Sequence, residues 1–356
     1  MGSTTELRQE PQHAMRSGFL PDRIVHLHPT RLCNLACLHC YSESDQRQRT
    51  ALDPDLLCAA LDVLRNEGYA LLSLSGGEPL VYPALGAVIA HARAIGFRVT
   101  MITNGLLASE RNDHLLDLLD GLAISFDGMA DTHNVLRGRT DAFERACDAL
   151  QRNAARGRRV AAAISLTRNA LSELPDLADH LVSLGAKALQ IRPVARAGRA
   201  RGLDDSSFFS ATDQARLYLV VHALRQELPE EIALHCDLAP TEGLWRQRDA
   251  YAGLLGWGMG TLHDERPLAD LINPLVITDT GTLKPIAFDF DARYDLLKID
   301  DVSALKLRDY KRERLSAFQE LVGGALAGLD GRGGLVDWFD HCTRLSERVG
   351  SRGQST

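Results

Sequence analysis

Cys33, Cys37 and Cys40 fall within eight residues, in the run Cys-Asn-Leu-Ala-Cys-Leu-His-Cys that follows an apolar stretch. Iron–sulfur clusters are held by cysteine thiolates, usually four of them. Three thiolates on one short loop would hold three irons of a [4Fe–4S] cube and leave the fourth iron open to a substrate or cofactor. Closely spaced cysteines also build structural zinc sites, but those are closed by four ligands and often use paired C-x2-C knuckles. No second knuckle follows here, so His39 or a distant histidine would have to complete such a site. Isolated cysteines are ordinary core residues, which is the reading for Cys58 and Cys147 on amphipathic helical stretches.

The elements that must position this loop alternate along the chain. Runs at 23–28, 70–75, 98–103, 122–126, 159–166 and 188–193 read as strands. Between them, 54–67, 83–95, 110–119, 141–156 and 174–184 read as helices. Gly96 and Gly157 stand where helices give way to strands, and glycine there commonly ends a helix in the left-handed conformation. Six such repeats imply a parallel sheet with right-handed crossovers, closed as a partial (β/α)6 TIM-like barrel. The cysteine loop, Gly76-Gly77-Glu78-Pro79, Thr103-Asn104-Gly105 and Ser125-Phe126-Asp127-Gly128 all follow strands. Parallel α/β folds place their ligands at those ends. Two adjacent glycines let a backbone approach a ligand closely, and Glu78 with nearby carbonyls can accept from an ammonium group.

The cysteine triplet resembles the signature of the radical S-adenosylmethionine (SAM) enzymes. His39 stands where that family usually has an aromatic ring, and Tyr41 follows the last cysteine as it often does there. Gly76, Gly77, Glu78 and Pro79 resemble the turn that meets the SAM amino group. The resemblance covers about residues 23–200. It implies one [4Fe–4S] cluster on Cys33, Cys37 and Cys40, with SAM cleaved to a 5′-deoxyadenosyl radical, and a flavodoxin or ferredoxin-type electron donor. It further implies that Ser125 and one of Arg137 or Arg139 hold the SAM carboxylate or ribose. An arginine fork suits a carboxylate, while an exposed surface arginine is the alternative for either. Asn104 and Asp127 are further cofactor candidates, and Ile191 and Arg192 would lie by the adenine. Arg192, Arg196, Arg199 and Arg201 form a basic cluster, either a receiver for a substrate anion or a solvated loop.

Beyond the barrel, 275–286 resembles the hairpin that opens the SPASM extension of peptide-modifying members. There a Gly-x4-Cys supplies an auxiliary-cluster ligand; here Gly281 is followed at that spacing by Ile286, and no cysteine lies between 237 and 341. Auxiliary clusters need several thiolates. The expected organisation is therefore an N-terminal extension (1–22), a core barrel (23–227) and a small SPASM-like α+β extension without an auxiliary cluster (228–356), with one helix over 301–326. Such a loss favours epimerisation, elimination, decarboxylation or rearrangement over oxidative crosslinking. Epimerisation needs a hydrogen donor, and Cys236 is the first candidate thiol, with a plain core cysteine as the alternative.

The leading substrate is a ribosomally made peptide, because the stretch from His133 to Arg139 resembles a loop of peptide-modifying members. The residues before the barrel are too few for a leader-binding domain, so recognition would need a separate leader-peptide-binding protein. A sugar or nucleoside-type metabolite is the alternative, and a zinc-binding interaction protein a remote one. A net charge of −7 and a pI near 5.9 offer no general attraction to nucleic acid or anionic membranes. No apolar run reaches the length of a membrane span, residues 1–19 lack the apolar core of a signal peptide, and Glu6 breaks the myristoylation pattern after Gly2. An odd count of seven cysteines argues against a disulfide framework. The expected setting is a reducing cytoplasm.

Overall fold

Burial alternates along strands such as Arg98–Thr103, Gly121–Phe126 and Val160–Leu166, so each of these turns one row of side chains toward helices and the other row away from them. The computed structural model describes residues 23–246, 265–329 and 333–352; the extension assigned to 1–22 lies outside them. The chain runs β1 (Ile24–Leu27), α1 (Pro54–Asn66), β2 (Leu71–Leu74), α2 (Leu85–Ala94), β3 (Arg98–Thr103), α3 (Asp113–Leu116), β4 (Gly121–Phe126), α4 (Ala130–Arg137), α5 (Ala142–Ala155), β5 (Val160–Leu166), α6 (Leu174–Ser183) and β6 (Ala188–Pro193). It continues through α7 (Ala211–Glu227), β7 (Ala233–Cys236), β8 (Leu238–Pro240), α8 (Thr241–Arg246), β9 (Leu275–Ile277) and β10 (Leu283–Pro285). Strands β1 to β7 lie side by side in chain order and all parallel. β9 joins the other side of β1 in parallel, and β10 pairs antiparallel with β9. The outer strands β10 and β7 do not pair with each other, which leaves a partial barrel with a small strand-and-helix extension.

The local reasons are legible in α1. Asp53 caps its first turn by accepting from the N–H groups of Asp55 and Leu56, Pro54 starts it, and Leu57, Ala60, Leu61 and Leu64 form its buried stripe. That stripe meets Val25, Leu27, Val99, Met101 and Ile124 in the main core. Ser73, Thr100, Ala123, Ser125, Ala161 and Ala163 alternate with these rows and form the inner face.

Four details depart from expectation. Residues 130–137 form a helix rather than a loop, ended by left-handed Gly138 with φ 65°. A seventh parallel strand, β7, extends the sheet, its exposed Ala233 and His235 masking the strand pattern. The helix expected over 301–326 is two, Ala304–Glu313 and Leu315–Ala327, broken at Arg314 with φ −124° and ψ −19°. Finally, the 275–286 hairpin lies in the same sheet as the barrel strands. No described helix is long and apolar enough to cross a membrane.

The C-terminal part is tied to α1 by a buried ion pair. Lys311 Nζ lies 3.0 Å from Glu67 Oε2, with side chains 4% and 14% exposed, and also donates to Arg266 O at 2.9 Å. Breaking one partner of a buried pair strands the other charge. Lys311→Met is expected to lower unfolding stability by about 3–5 kcal/mol, read as a shift in the urea midpoint.

Candidate active site

β1 delivers the chain into the cysteine loop at the C-terminal end of the sheet. Cys33 and Cys37 are buried, each 8% exposed, and share a small apolar pocket with Leu35, Leu106 and the partly buried Cys40. The Leu35 N–H donates to Cys33 Sγ at 3.4 Å and the Ser44 N–H to Cys40 Sγ at 3.3 Å. Burial, with the Glu78 charge beside it, pushes the Cys33 thiol up to about 12. Burial pushes Cys37 up to about 11 although the Arg137 guanidinium opposes it. These thiols ionise when a cation supplies compensating charge. Among the described residues no three His, Cys, Asp or Glu side chains are grouped to hold a single metal ion.

The glycine turn supports this loop directly. The Gly77 N–H donates to Thr30 O and the Glu78 N–H to Leu32 O, both at 3.0 Å. A β-carbon on Gly77 would stand 2.2 Å from Leu32 O, so glycine is required by the close passage of the cysteine loop's own backbone. Gly76 has φ +107°, and a β-carbon there would stand 2.9 Å from Thr30 O and 3.0 Å from His28 Cα. Glu78 is fully buried and accepts from Thr103 Oγ1 at 2.7 Å, Asn104 N at 3.0 Å and Leu80 N at 3.1 Å. Its side chain thus joins the ends of β2 and β3, and burial raises its carboxyl above the ordinary value. Buried Pro79 opens the short turn that follows. Asn104 Nδ2 donates to Asn34 Oδ1 at 2.7 Å and lies 3.9 Å from Cys33 Sγ.

Asp127, at the end of β4, is the hub of a second buried network. Arg137 binds it in a fork, Nε to Oδ2 at 2.5 Å and Nη2 to Oδ1 at 2.9 Å. His39 Nε2 reaches Oδ1 at 2.7 Å. Burial alone would raise the Asp127 carboxyl, but Arg137 and His39 hold it well below the usual carboxylate range. The Asp127 N–H donates to His133 Nδ1 at 3.2 Å, and burial lowers His133 to about 4, so this ring is neutral. Of the two candidate arginines, Arg137 is buried in the network, whereas Arg139 is exposed and paired with Asp141. Ser125 stands two residues before the hub on the inner face, partly exposed. His39 Nδ1 is buried without a protein partner.

The strand register sorts the remaining candidates. Ile191 is fully buried in the helix-side core, and Arg192 takes the opposite face, its Nε 2.6 Å from Asp237. Cys236 is the register partner of Ile191. Partners in a parallel ladder share a face, so Cys236 packs on the helix-side core with burial raising its thiol. It is therefore turned from the inner face where a hydrogen donor would stand. Tyr41 OH lies 3.3 Å from His28 Nε2, and His28 stacks on Phe288 with ring centroids 4.8 Å apart. Neither His28 nor Phe288 carries a motif that singles it out in the sequence. Arg199, grouped with a basic cluster by sequence, instead donates to Cys37 O and Ser44 O.

Residues 27–181 match the sequence model of the Radical SAM superfamily. The antilisterial bacteriocin subtilosin biosynthesis protein AlbA of Bacillus subtilis is 27% identical over 232 residues, covering 64% of this chain and 50% of AlbA. Fe-coproporphyrin III synthase of Methanosarcina barkeri is 26% identical over 237 residues, covering 64% of this chain and 59% of that enzyme. The chain spans about half the length of the curated relatives it matches. Among solved structures, Streptococcus suis SuiB bound to its precursor peptide SuiA has the same fold, with a TM-score of 0.61 at 14% identity, covering 83% of this chain and 65% of SuiB.

His28 and His133 are held neutral by burial, at about 3 and about 4, against roughly 6.5 when unfolded. Below that unfolded value the unfolded chain binds protons that the folded chain refuses. Their contribution to stability is thus complete above about pH 6.5 and is lost on acidification toward the folded values, at about 1.4 kcal/mol per pH unit for each. The urea midpoint is expected to fall between neutral pH and about pH 5, and less steeply in His133→Gln.

Proposed function

The chain belongs to the radical SAM superfamily, and from that premise we propose that it binds one [4Fe–4S] cluster and SAM to begin radical modification of a ribosomally made peptide. The observation that carries this reading is the braced loop bearing Cys33, Cys37 and Cys40 at the C-terminal end of a parallel sheet. Its donor set fits an iron–sulfur cluster: three soft ligands, two of them receiving backbone N–H groups, beside Leu35 and Leu106, with Asn104 and Ser42 close to the sulfurs. When bound, the cluster supplies the single electron with which SAM is cleaved to a 5′-deoxyadenosyl radical able to take hydrogen from carbon.

The protein's part is placement. Glu78 and Asn104 fix the loop from β2 and β3, and Asp127 fixes the His39 ring. The unpartnered Nδ1 of His39 is left for a polar group of the cofactor. Gly76 and Gly77 let the cysteine loop's backbone lie directly against the β2 turn, and Ser125 with Arg192 lines the inner face. A flavodoxin or ferredoxin-type protein would deliver the electron.

A peptide substrate is supported by the likeness to AlbA and to SuiB with its bound precursor peptide, together with the hairpin beside β1. Among the described residues no thiol besides the three loop cysteines stands on the inner face: Cys58 sits on the helix α1, Cys147 and Cys236 pack against the core, and Cys342 is fully buried within it. Elimination, decarboxylation or rearrangement therefore suits this inner face better than thiol-quenched epimerisation. A small-metabolite substrate is the second reading, favoured by the comparable likeness to Fe-coproporphyrin III synthase.

Anaerobic reconstitution is expected to give a brown protein with about four irons per chain. Replacing Cys33, Cys37 and Cys40 together by alanine should abolish iron uptake and 5′-deoxyadenosine formation while leaving thermal unfolding of the apoprotein unchanged. About seven or eight irons, or a single zinc, would overturn the one-cluster reading. Mass change of a precursor peptide encoded beside the gene, set against turnover of a tetrapyrrole or sugar nucleotide, separates the two substrate classes.

A further inference from the structure

We propose that Arg199 is a positioning residue for the metal centre, which clamps the cysteine loop and raises the reduction potential of the cluster; this rests on the one-cluster reading above. Arg199 Nε donates to Cys37 O at 2.8 Å and Nη2 to Ser44 O at 2.7 Å. Its backbone N–H donates to Cys40 O at 3.0 Å. One residue from beyond β6 therefore grips the carbonyls of two loop cysteines and of the loop's far end.

The neighbouring glycine makes this grip possible. Gly198 has φ +49°, and a β-carbon there would stand 2.3 Å from Tyr41 O and 2.5 Å from Cys40 O. Only a residue without a side chain lets the 198–199 backbone lie against the loop.

The charges around Arg199 are spent differently. Arg192 pairs with Asp237 at 2.6 Å, Arg196 with Asp205 at 2.6 Å and Arg201 with Glu347 at 3.0 Å. Among the described residues no carboxylate lies within ion-pair distance of Arg199; its two side-chain partners are neutral carbonyls. Its positive charge acts on the Cys37 thiol and also on the Asp45 carboxylate, without forming an ion pair with either. Net charge and nearby hydrogen bonding set cluster potentials, and a fixed cation favours the more negative, reduced state. A lysine would keep the charge but could not span two carbonyls with a planar fork.

The test uses the full-length protein reconstituted anaerobically, as wild type, Arg199→Gln, Arg199→Lys and Arg201→Gln. An EPR-monitored redox titration reads the midpoint potential, and a chelator reads the rate of iron loss. Thermal unfolding of each apoprotein checks the fold. Arg199→Gln is expected to lower the potential by about 59 mV, a tenfold weaker preference for the reduced state, and to release iron about tenfold faster. Arg199→Lys should release iron faster while keeping a potential near wild type. Arg201→Gln, which removes an exposed pair with Glu347 and a bond to Arg196 O but no contact with the cysteine loop, should match wild type in both. A wild-type potential in Arg199→Gln overturns the proposal, as does an equal shift in Arg201→Gln. A wild-type protein that takes up no cluster overturns this inference and the one-cluster reading together.

Discussion

Two buried thiols and a half-buried one on a loop without regular structure stay in place only if the loop's backbone is bonded from outside. An unpaired buried N–H or C=O costs about as much as a lost hydrogen bond, and a short apolar pocket cannot fix a backbone by packing alone. Much of the sheet's C-terminal edge serves this need. The β2 turn pairs with Thr30 and Leu32, Asn104 after β3 reaches Asn34, Leu136 O on α4 receives the Leu38 N–H, and Arg199 beyond β6 takes Cys37 and Ser44. Contacts from four separate strand ends converge on one loop, which makes the barrel its frame.

The same geometry explains what the sequence disclosed and what it concealed. The cysteine spacing is local, and strands such as Arg98–Thr103 and Ala188–Pro193 match expectation residue for residue because their runs are bounded by turn signals. The long-range partners are not local. Nothing near Glu78 announces that its carboxylate is consumed by Thr103 and Asn104, and nothing near Arg199 announces Cys37, 162 positions away. That Arg137 is buried against Asp127 while Arg139 is exposed follows from 130–137 winding into a helix, which turns one arginine inward and leaves the other past its end. A shift of one residue also decides a face, which is why Ile191 and Arg192, read together from sequence, stand on opposite sides of the sheet.

The C-terminal extension belongs to the barrel in a physical sense. Its hairpin covers the open side of β1 and so satisfies backbone groups that a bare edge would expose. Ile286 adopts φ 63° and donates its N–H to Pro274 O at 2.9 Å, which closes the turn after the hairpin. Two residues on, Phe288 stacks against His28, which carries the extension from the outer edge to the mouth of the barrel.

The inner face has small residues at Ser73, Ala123, Ser125, Ala161 and Ala163, while the rows behind them, such as Ile124, Ala162 and Ile164, are sealed under helices. Apolar packing is therefore gathered on one side of these strands, and small side chains are left on the other. Substitutions on the lumen side disturb little buried packing, so such a scaffold can drift toward new substrates without first losing its fold. A sheet divided in this way is a place where lineages diverge in chemistry while their architecture stays recognisable.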